Sequence, residues 1–207
     1  VMPRAEHVDD LEILPVGLSI LDAQRRVRYN NPALSRILDL PDDALVQGRY
    51  RHRAYLHPDG SPMALDELAS ARAFKEQQTV RDVEIGVVRE DGTLVWTNVS
   101  AVPLPFDDWR VILVTADITE KVEARRRVGE QAALLDAMLA SIADAVAFYG
   151  PDARIVRTNA AADAMFGYVP GNPVLSLAER SARTRPRGED GRPFDLQELP
   201  VMRALRG

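Results

Sequence analysis

The chain has 207 residues, enough for one large domain or two domains of about 100 residues each. It is 46% hydrophobic and 28% charged, as a folded globular protein should be, and its net charge of −5 argues against sequence-independent binding to nucleic acid. Cysteine is absent, which excludes disulfides and thiolate chemistry, and the three histidines form no metal-binding motif, so we expect no metal site.

The sequence also carries no membrane or export signal that we recognise. No apolar run approaches the ~20 residues that span a bilayer, and the N-terminus does not resemble a signal peptide. We therefore expect a cytoplasmic location. Val1 precedes Met2, which indicates a piece of a longer protein.

The first 40 residues predict a short helix, a hairpin and a capped helix. Residues 6–14 favour a short amphipathic helix that ends before Pro15. Apolar side chains alternate on either side of a turn at 22–24, which predicts a hairpin over 17–30. Either Asn30 or Asn31 is placed to cap a helix over 32–39, with Pro32 in its first turn.

The next stretch predicts two helices followed by three strands. We expect a short helix at 41–45, irregular structure at 46–62 and a helix at 64–76. Strands follow at 79–90, 93–104 and 109–119, and either Val95 or Trp96 points inward in the middle one. This order predicts an α+β fold, with a five-stranded antiparallel sheet and helices on one face.

Residues 120–143 predict a long linker helix. Apolar residues recur along it at spacings of four and three, which is the heptad pattern of a coiled coil; they are Val128, Ala132, Leu135, Leu139 and Ile142, with Val146 next in the series. One interpretation is an amphipathic helix packed into a single core. The other is a signalling helix that joins two domains and pairs with its twin in a dimer.

An internal repeat favours two domains. Residues 59–76 and 190–207 share eight identities in eighteen positions at an offset of 131, and residues 25–30 match 154–159 at an offset of 129. The second copy, 144–207, contains no counterpart of the last three predicted strands. We expect it to pack poorly unless those strands come from elsewhere.

Several short motifs occur in a characteristic order over the first 120 residues. They are P-x-G-L with a following Asp (Pro15, Gly17, Leu18, Asp22), V-x-Y-N-N (Val27–Asn31), E-D-G with a following Trp (Glu90–Gly92, Trp96) and D-I-T-E (Asp117–Glu120). In this order the chain resembles a PAS domain, a small sensor fold of signalling proteins. The resemblance implies an N-terminal helical flank at 1–13, a PAS domain at 14–119, the linker at 120–143 and a partial second PAS copy at 144–207.

The resemblance also implies a ligand pocket between the sheet and the helices. Its expected lining is Tyr29, Ile37, Leu45, Tyr55, His57, Leu68, Phe74, Ile85, Trp96 and Asn98, with His52 and Val99 nearby. The alternative is that these residues simply fill a core. Flavin photochemistry of the LOV type needs a cysteine and is excluded, whereas a haem ligand at His52 or His57, or a non-covalent flavin, stays open. We expect no cofactor but leave open an unknown small-molecule ligand.

Family resemblance further implies that Asp117 and Thr119 tie the sheet to the outgoing helix and relay signals. Enzyme motifs are missing, so we expect no catalysis. We predict a sensory and dimerisation module of a bacterial signalling protein, such as a sensor histidine kinase or a cyclic-dinucleotide enzyme. It would form a homodimer through the linker helix and N-terminal flank, and act on a downstream effector domain. The alternatives are a structural spacer without ligand and a haem or flavin sensor of gas or redox state.

Overall fold

The computed structural model describes residues 9–106, 109–167 and 176–206. The chain divides into two compact units, Val1–Arg126 and Arg127–Gly207. Within the described part of the chain, no helix combines the length and the apolarity that crossing a bilayer requires.

The first unit alternates short helices with the strands of one sheet. In chain order its elements are α1 (Asp9–Glu12), β1 (Gly17–Leu21), β2 (Val27–Asn30), α2 (Pro32–Leu38), α3 (Asp42–Val46), a 3-10 helix (Arg49–His52), β3 (Tyr55–Leu56), α4 (Ala69–Glu76), β4 (Val80–Val88), β5 (Leu94–Pro103) and β6 (Val111–Asp117). The helix α5 (Thr119–Ser141) begins directly after β6.

The sheet of the first unit has six strands in the order β2-β1-β6-β5-β4-β3, and all neighbours are antiparallel. The predicted α+β class is confirmed, and the predicted count of five strands is one short. The additional strand is β3, whose Tyr55 and Leu56 pair with Val87 and Gly86 in a stretch predicted to be irregular. Two residues at a sheet edge carry too little alternation to be recognised in a sequence.

The sheet buries one face against α2, α3 and α4. Along β5 the inward residues are Val95, Thr97, Val99 and Ala101, all buried, whereas Trp96 and Asn98 are half-buried on the opposite face. Strand β6 crosses the middle of the sheet between β1 and β5. The core therefore lies between the inner face of the sheet and this layer of helices.

Two predicted helices have different bounds in the structure. Helix α4 begins at Ala69 rather than at residue 64, because residues 64–67 form a separate turn in which Glu67 accepts from the N–H of Ala64 at 2.7 Å. Leu65 consequently lies 45% exposed instead of facing the core. Of the helix predicted at 6–14, the structure describes α1, which ends at Glu12, and residues 6–8 lie outside the described residues.

The hairpin and the first capped helix follow local hydrogen bonding. The Asp22 carboxylate accepts from the N–H groups of Gln24 and Arg26, both at 2.9 Å, and so closes the turn between β1 and β2. Of the two asparagines considered as caps, Asn31 is the one that accepts from the N–H of Leu34 and begins α2. Asx turns and N-caps of this kind satisfy backbone donors that no helix or strand can reach.

The second unit contains a shorter series of elements after α5. They are β7 (Ala147–Tyr149), β8 (Ile155–Thr158), α6 (Ala160–Phe166), α7 (Leu177–Thr184), a 3-10 helix (Leu196–Glu198) and α8 (Pro200–Arg206). Strands β7 and β8 pair with each other as a two-stranded antiparallel sheet.

One buried asparagine in each unit makes the same hydrogen bonds. Asn31 accepts from Leu18 and Leu34 and donates to the carbonyls of Leu11 and Val16. Asn159 accepts from the N–H groups of Val146 and Ala162 and donates to the carbonyls of Leu139, Ile142 and Asp144.

The shared contacts correct the alignment of these hairpins. They relate the two hairpins at an offset of 128, so the offset of 129, which paired Asn30 with Asn159, is wrong by one residue. The sequence alignment at the offset of 129 was based mainly on identical arginines and a valine. The hairpin turn and the helix cap, however, determine which backbone positions are equivalent.

The loops before α4 and α8 also share their contacts. Met63 donates from its N–H to the carbonyl of Tyr55, and Phe194 donates to the carbonyl of Pro186. The backbone N–H of Ala64 donates to Glu67 three residues on, as that of Asp195 donates to Glu198. These pairs lie 131 residues apart, which is the offset of the longer sequence repeat.

Candidate ligand-binding cavity

A cavity of about 100 Å³ lies inside the first unit, between the inner face of the sheet and the helices. Strands, helices and the segment before α4 all contribute to its wall, which is mostly apolar; the lining residues are Ser19, Leu21, Val27, Leu34, Leu38, Leu45, Tyr50, Tyr55, Leu68, Ala69, Ser70, Ile85, Val87, Thr97, Val99, Leu113 and Thr115. A mostly apolar cavity with a few polar groups is a common form of small-ligand site.

Hydroxyl groups supply the polar part of the wall. The Thr97 hydroxyl donates to the Ile85 carbonyl at 3.0 Å, and the Tyr55 hydroxyl donates to the Tyr50 carbonyl at 2.6 Å. Burial raises the pKa of Tyr55 well above its ordinary value, so this phenol stays protonated and keeps its donor role at neutral pH. Ser19, Ser70 and Thr115 add three further hydroxyls to the lining.

A second hollow, of about 200 Å³, adjoins the cavity at its outer end. The two share Leu21, Tyr50, Leu68 and Ser70 in their walls, so they lie next to each other. Gln24, Arg25, Arg51 and Leu65 complete the outer hollow, which we call the mouth. The mouth is therefore cationic, although the chain as a whole is acidic.

Four of the ten predicted pocket residues line the cavity, namely Leu45, Tyr55, Leu68 and Ile85, and Val99 lines it as well. Tyr29, Ile37, His57, Phe74, Trp96 and Asn98 do not belong to the lining. Ile37 is buried in the neighbouring core cluster, and Phe74 packs against that cluster. Tyr29 is half-buried in β2; burial raises its pKa, and its hydroxyl has no hydrogen-bond partner in the described structure.

Trp96 and Asn98 point away from the cavity because they occupy the outer face of β5. Trp96 lies opposite Gly86 of β4, where a Cβ would come within 3.2 Å of the indole ring, so glycine leaves room for the tryptophan. Asn98 donates to Asp82 at 3.4 Å on the exposed side of the sheet. Both faces of this strand carry apolar residues, so the alternation alone did not reveal which face is inward.

The candidate haem ligands do not fit such a role. His57 lies 3.5 Å from the Glu67 carboxylate in an outer groove, and His52 is exposed in the 3-10 helix. Neither His52 nor His57 lines the cavity or its mouth, and a cavity of about 100 Å³ is far below the ~300–1,000 Å³ of pockets for larger ligands. In the described ranges, no cluster of three or more His, Asp or Glu side chains could hold a metal ion.

The sequence predictions missed the polar residues of the lining. Ser19, Thr97 and Thr115 occupy inward positions on β1, β5 and β6, where an apolar residue would be expected in a closed core. Hydroxyl residues at inward positions of three strands are a signal that the sequence does contain. It becomes readable only when the inward face of each strand is known.

The junction between sheet and α5 has the contacts expected of Asp117 and Thr119. The Asp117 carboxylate accepts from the N–H of Thr119 at 2.9 Å and from its hydroxyl at 2.6 Å. The Thr119 hydroxyl accepts from the N–H of Trp96 at 3.0 Å, and the Ile118 N–H donates to the Trp96 carbonyl at 2.8 Å. The start of α5 is thus hydrogen-bonded to β5.

A second contact joins α5 to the sheet. Arg125 donates to the Glu84 carboxylate of β4, with Nη2 and Oε2 2.9 Å apart, and this bond raises the pKa of the guanidinium. Glu84 precedes Ile85, a residue of the cavity wall. Both strands that contact α5 therefore also line the cavity.

Most of α5 is exposed, and so are four of the five residues predicted to form a dimer seam. Val128, Ala132, Leu135 and Ile142 are exposed, with Val128 at 66% and Leu135 at 49%. Leu139 is buried at 8%, so it is unavailable to a partner in this structure, and Ile142 follows the end of the helix at Ser141. Leu139 is drawn inward because its carbonyl belongs to the Asn159 network.

Two further apolar residues of α5 are exposed, Leu134 at 56% and Met138 at 55%. Together with Val128, Leu135 and Ile142 they form an exposed apolar strip that differs from the predicted seam. A helix with so little burial gains little from tertiary packing within the chain.

Comparison with known families identifies the first unit. A family model described as the PAS fold matches residues 11–123, more than half of the chain, and the chain belongs to that family. No curated protein matches the chain.

Solved structures resemble the chain at low identity. An RNA-binding light-oxygen-voltage receptor is 20% identical over 67% of this chain and 40% of its own length, with a TM-score of 0.48. The PAS domain of nitrogen regulation protein NR(II) from Vibrio parahaemolyticus is 18% identical over 52% of this chain and 92% of its own, with a TM-score of 0.39. A PAS domain from Colwellia psychrerythraea is 16% identical over 56% of this chain and 96% of its own length, with a TM-score of 0.43.

Proposed function

We propose that this chain is a sensory and dimerisation module of a bacterial signalling protein and has no catalytic activity of its own. A small molecule in the cavity of the first unit would change the packing of the sheet, and α5 would pass that change to a downstream effector domain. The effector would be the output part of a protein such as a sensor histidine kinase or a cyclic-dinucleotide enzyme. The cytoplasm is the expected location.

One observation carries this proposal: strand β5 serves both the cavity and the start of α5. Thr97 and Val99 line the cavity, and the backbone of the adjacent Trp96 bonds to Ile118 and Thr119. Strand β4 has the same double role through Ile85 and Glu84. A ligand that moves either strand must therefore strain or release the contacts that hold α5.

Dimerisation would occur through the exposed apolar strip on α5, with the N-terminal flank as a second contact. Four apolar side chains of α5 and Ile142 directly after it, all at least 40% exposed, are expected to find a partner. Residues 1–8 of the flank lie outside the described residues. The second unit would be a further PAS copy, a proposal supported by the recurrent contacts of Asn31 and Asn159. No nucleic-acid partner is expected of so acidic a chain.

A structural spacer without ligand is the second candidate. The small volume of the cavity favours it, because about 100 Å³ is below the size of most ligand pockets. In that case the hydroxyls of Ser19, Thr97 and Thr115 would contact only groups of the sheet and would bind no ligand.

Native mass spectrometry of the purified chain, compared with its denatured mass, tests the proposal. We expect a dimer that carries extra mass and loses it on denaturation. Thr115→Leu, which fills the cavity, should lose the extra mass, whereas Thr115→Val, which replaces the hydroxyl with a methyl group of similar size, should keep at least part of it. A dimer whose mass equals twice that of the chain, and which also binds no small molecule when one is added, would support the spacer.

The dimer seam needs its own matched pair of variants. Leu135→Glu places a charge in the apolar strip of α5 and should shift the dimer to monomer. Ala133→Glu adds the same charge to an exposed alanine that is not part of the strip, and should leave the dimer intact. A wild-type monomer at micromolar concentration would contradict the dimer proposal.

A further inference from the structure

We propose that the ligand of this cavity is a small carboxylate with an apolar tail, held by its tail in the cavity and by its carboxylate between Arg25 and Arg51. This inference rests on the proposed ligand-sensing function and adds the chemical class of the ligand.

The first argument is the polarity of the two adjoining hollows. The cavity is lined mostly by apolar side chains and a few hydroxyls, and the mouth carries two guanidinium groups and the amide of Gln24. Among the residues that the structure describes, no carboxylate lines either hollow. A molecule that fits this gradient has an uncharged apolar body and an anionic end, since a cationic end would meet like charges at the mouth.

The second argument is that the arginines are held in position. Arg51 donates through Nη2 to the carbonyl of Arg25 at 2.5 Å, and its guanidinium lies 5.7 Å from the Tyr50 ring centroid. The Arg25 guanidinium lies 5.9 Å from the ring centroid of Phe74. Within the described residues, neither guanidinium forms an ion pair with a carboxylate. Pre-positioned guanidinium groups bind a carboxylate through paired charge-assisted hydrogen bonds.

The third argument comes from the second unit, where an arginine donates to the carbonyl of the turn residue that is equivalent to Arg25. Arg180 donates to the carbonyl of Ala153 at 2.7 Å and lies 5.1 Å from the Tyr149 ring centroid. Ala153 and Arg25 are equivalent turn residues, with φ of 58° and 60°. Arg180 lines a groove of about 680 Å³, and its buried Nη1 has no hydrogen-bond partner in the described residues. Each unit thus has a guanidinium that lines a hollow and is bonded to the carbonyl of the hairpin turn.

Calorimetric titration of the whole chain with octanoate, 1-octanol and octylammonium tests the inference. The three probes share one tail and differ in the charge of the head. We expect saturable binding of octanoate, at least tenfold weaker binding of 1-octanol and none of octylammonium. Octanoate affinity should fall as salt is raised, because the arginines are exposed to solvent.

Substitutions then assign the head and the tail. Arg25→Gln combined with Arg51→Gln should weaken octanoate binding at least tenfold and leave 1-octanol unchanged. Arg25→Gln alone, which keeps the carbonyl that Arg51 contacts, should weaken octanoate several-fold. Arg36→Gln removes an equal charge from an exposed position of α2 and should change neither, while Thr115→Leu should weaken both by blocking the tail.

The outcomes separate this inference from the proposed function. Equal affinities for octanoate and 1-octanol, both lost in Thr115→Leu, would retain a sensing cavity and overturn the carboxylate. A co-purified neutral molecule in native mass spectra, with no octanoate binding, would do the same. Absence of any bound or added small molecule would overturn both. Octanoate binding that the double variant leaves unchanged would place the carboxylate elsewhere and overturn the inference.

Discussion

The two units of this chain contain the same early elements but differ in how much they bury. Each has a hairpin, a helix capped by asparagine, and a turn that leads into a short helix. In the first unit, strands β4, β5 and β6 then cover the helices, and the described residues of the second unit contain no counterpart of those strands.

Equivalent positions show what the three strands contribute. Ile20 is 1% exposed, whereas Phe148 at the equivalent position of the second unit is 43% exposed. Ile37 and Met165, another equivalent pair, are 8% and 67% exposed. The local elements thus form through their own turns and caps, and burial of their apolar faces depends on the sheet. Each Å² of apolar surface that is buried contributes about 25 cal/mol, so the buried side chains of the first unit add stability that their exposed counterparts do not.

The largest expected effect concerns the buried asparagines. Asn31→Ala removes two acceptor and two donor contacts from buried backbone groups and should lower the free energy of unfolding of the first unit by about 3 kcal/mol. Asn159→Ala should reduce amide protection within residues 127–206 and leave residues 14–117 unchanged. Hydrogen exchange with mass spectrometry, together with a urea melt, measures both effects.

Asn30→Ala is the matched control for that comparison. The Asn30 side chain donates to Asp42 on the exposed surface, so its loss should cost less than about 0.5 kcal/mol. A cost equal to that of Asn31→Ala would restore the offset of 129 and contradict the equivalence of Asn31 and Asn159. Loss of protection in both units from Asn159→Ala would contradict their independence.

A smaller expected effect is that the stability of the first hairpin turn depends on pH through Asp22, whereas the second turn has no aspartate at that position. Burial by itself raises the pKa of Asp22, but the N–H groups of Arg26 and Gln24 and the charges of Arg28 and Arg26 outweigh it, so the pKa lies below its ordinary value of 3.8. The stability this provides is present above that ordinary pKa and is lost as the pH falls through the lower, folded value. Gly150 takes the place of Asp22 in the second unit, which lacks this particular acid-sensitive contact.

Asp22→Asn tests the contribution of that carboxylate. We expect a loss of about 2 kcal/mol in the first unit at pH 7, because a charged acceptor of several hydrogen bonds becomes neutral. Below pH 4 the difference between wild type and variant should shrink. Thermal melts monitored by circular dichroism between pH 2.5 and 7 measure it, and a difference independent of pH would contradict the assigned role.

The smallest effect concerns the junction with α5. Asp117→Ala should cost about 1 kcal/mol and increase hydrogen exchange in the first turn of α5, because the carboxylate no longer holds Thr119. Asp91→Ala removes the same pattern of bonds, made there to Thr93 in the hairpin between β4 and β5. It should leave α5 unchanged. Equal exchange of α5 in wild type and Asp117→Ala would remove Asp117 from the proposed relay.

Contacts between near neighbours were readable from the sequence. The hairpin turn closed by Asp22, the helix that Pro32 begins and the tie of Asp117 to Thr119 each involve residues a few positions apart. The chemistry of the turn and of the helix start depends on residue type and spacing, whereas the tie of Asp117 to Thr119 was implied by the PAS resemblance. Six of the ten predicted pocket residues do not line the cavity, among them Trp96, Asn98 and His57, because spacing does not give the direction of a side chain.

By itself, therefore, the sequence determined which segments form the five longer strands of the first unit, which turns join the hairpins and that a long helix follows the sheet. Tertiary structure decided that Thr97 rather than Trp96 faces the cavity, that Tyr55 joins the sheet edge and that Leu139 is buried. The physical reason is that a strand with apolar residues on both faces, or a helix with apolar residues at several spacings, has more than one face to bury. Only the neighbours that pack against it select one, and these neighbours lie far away in the sequence.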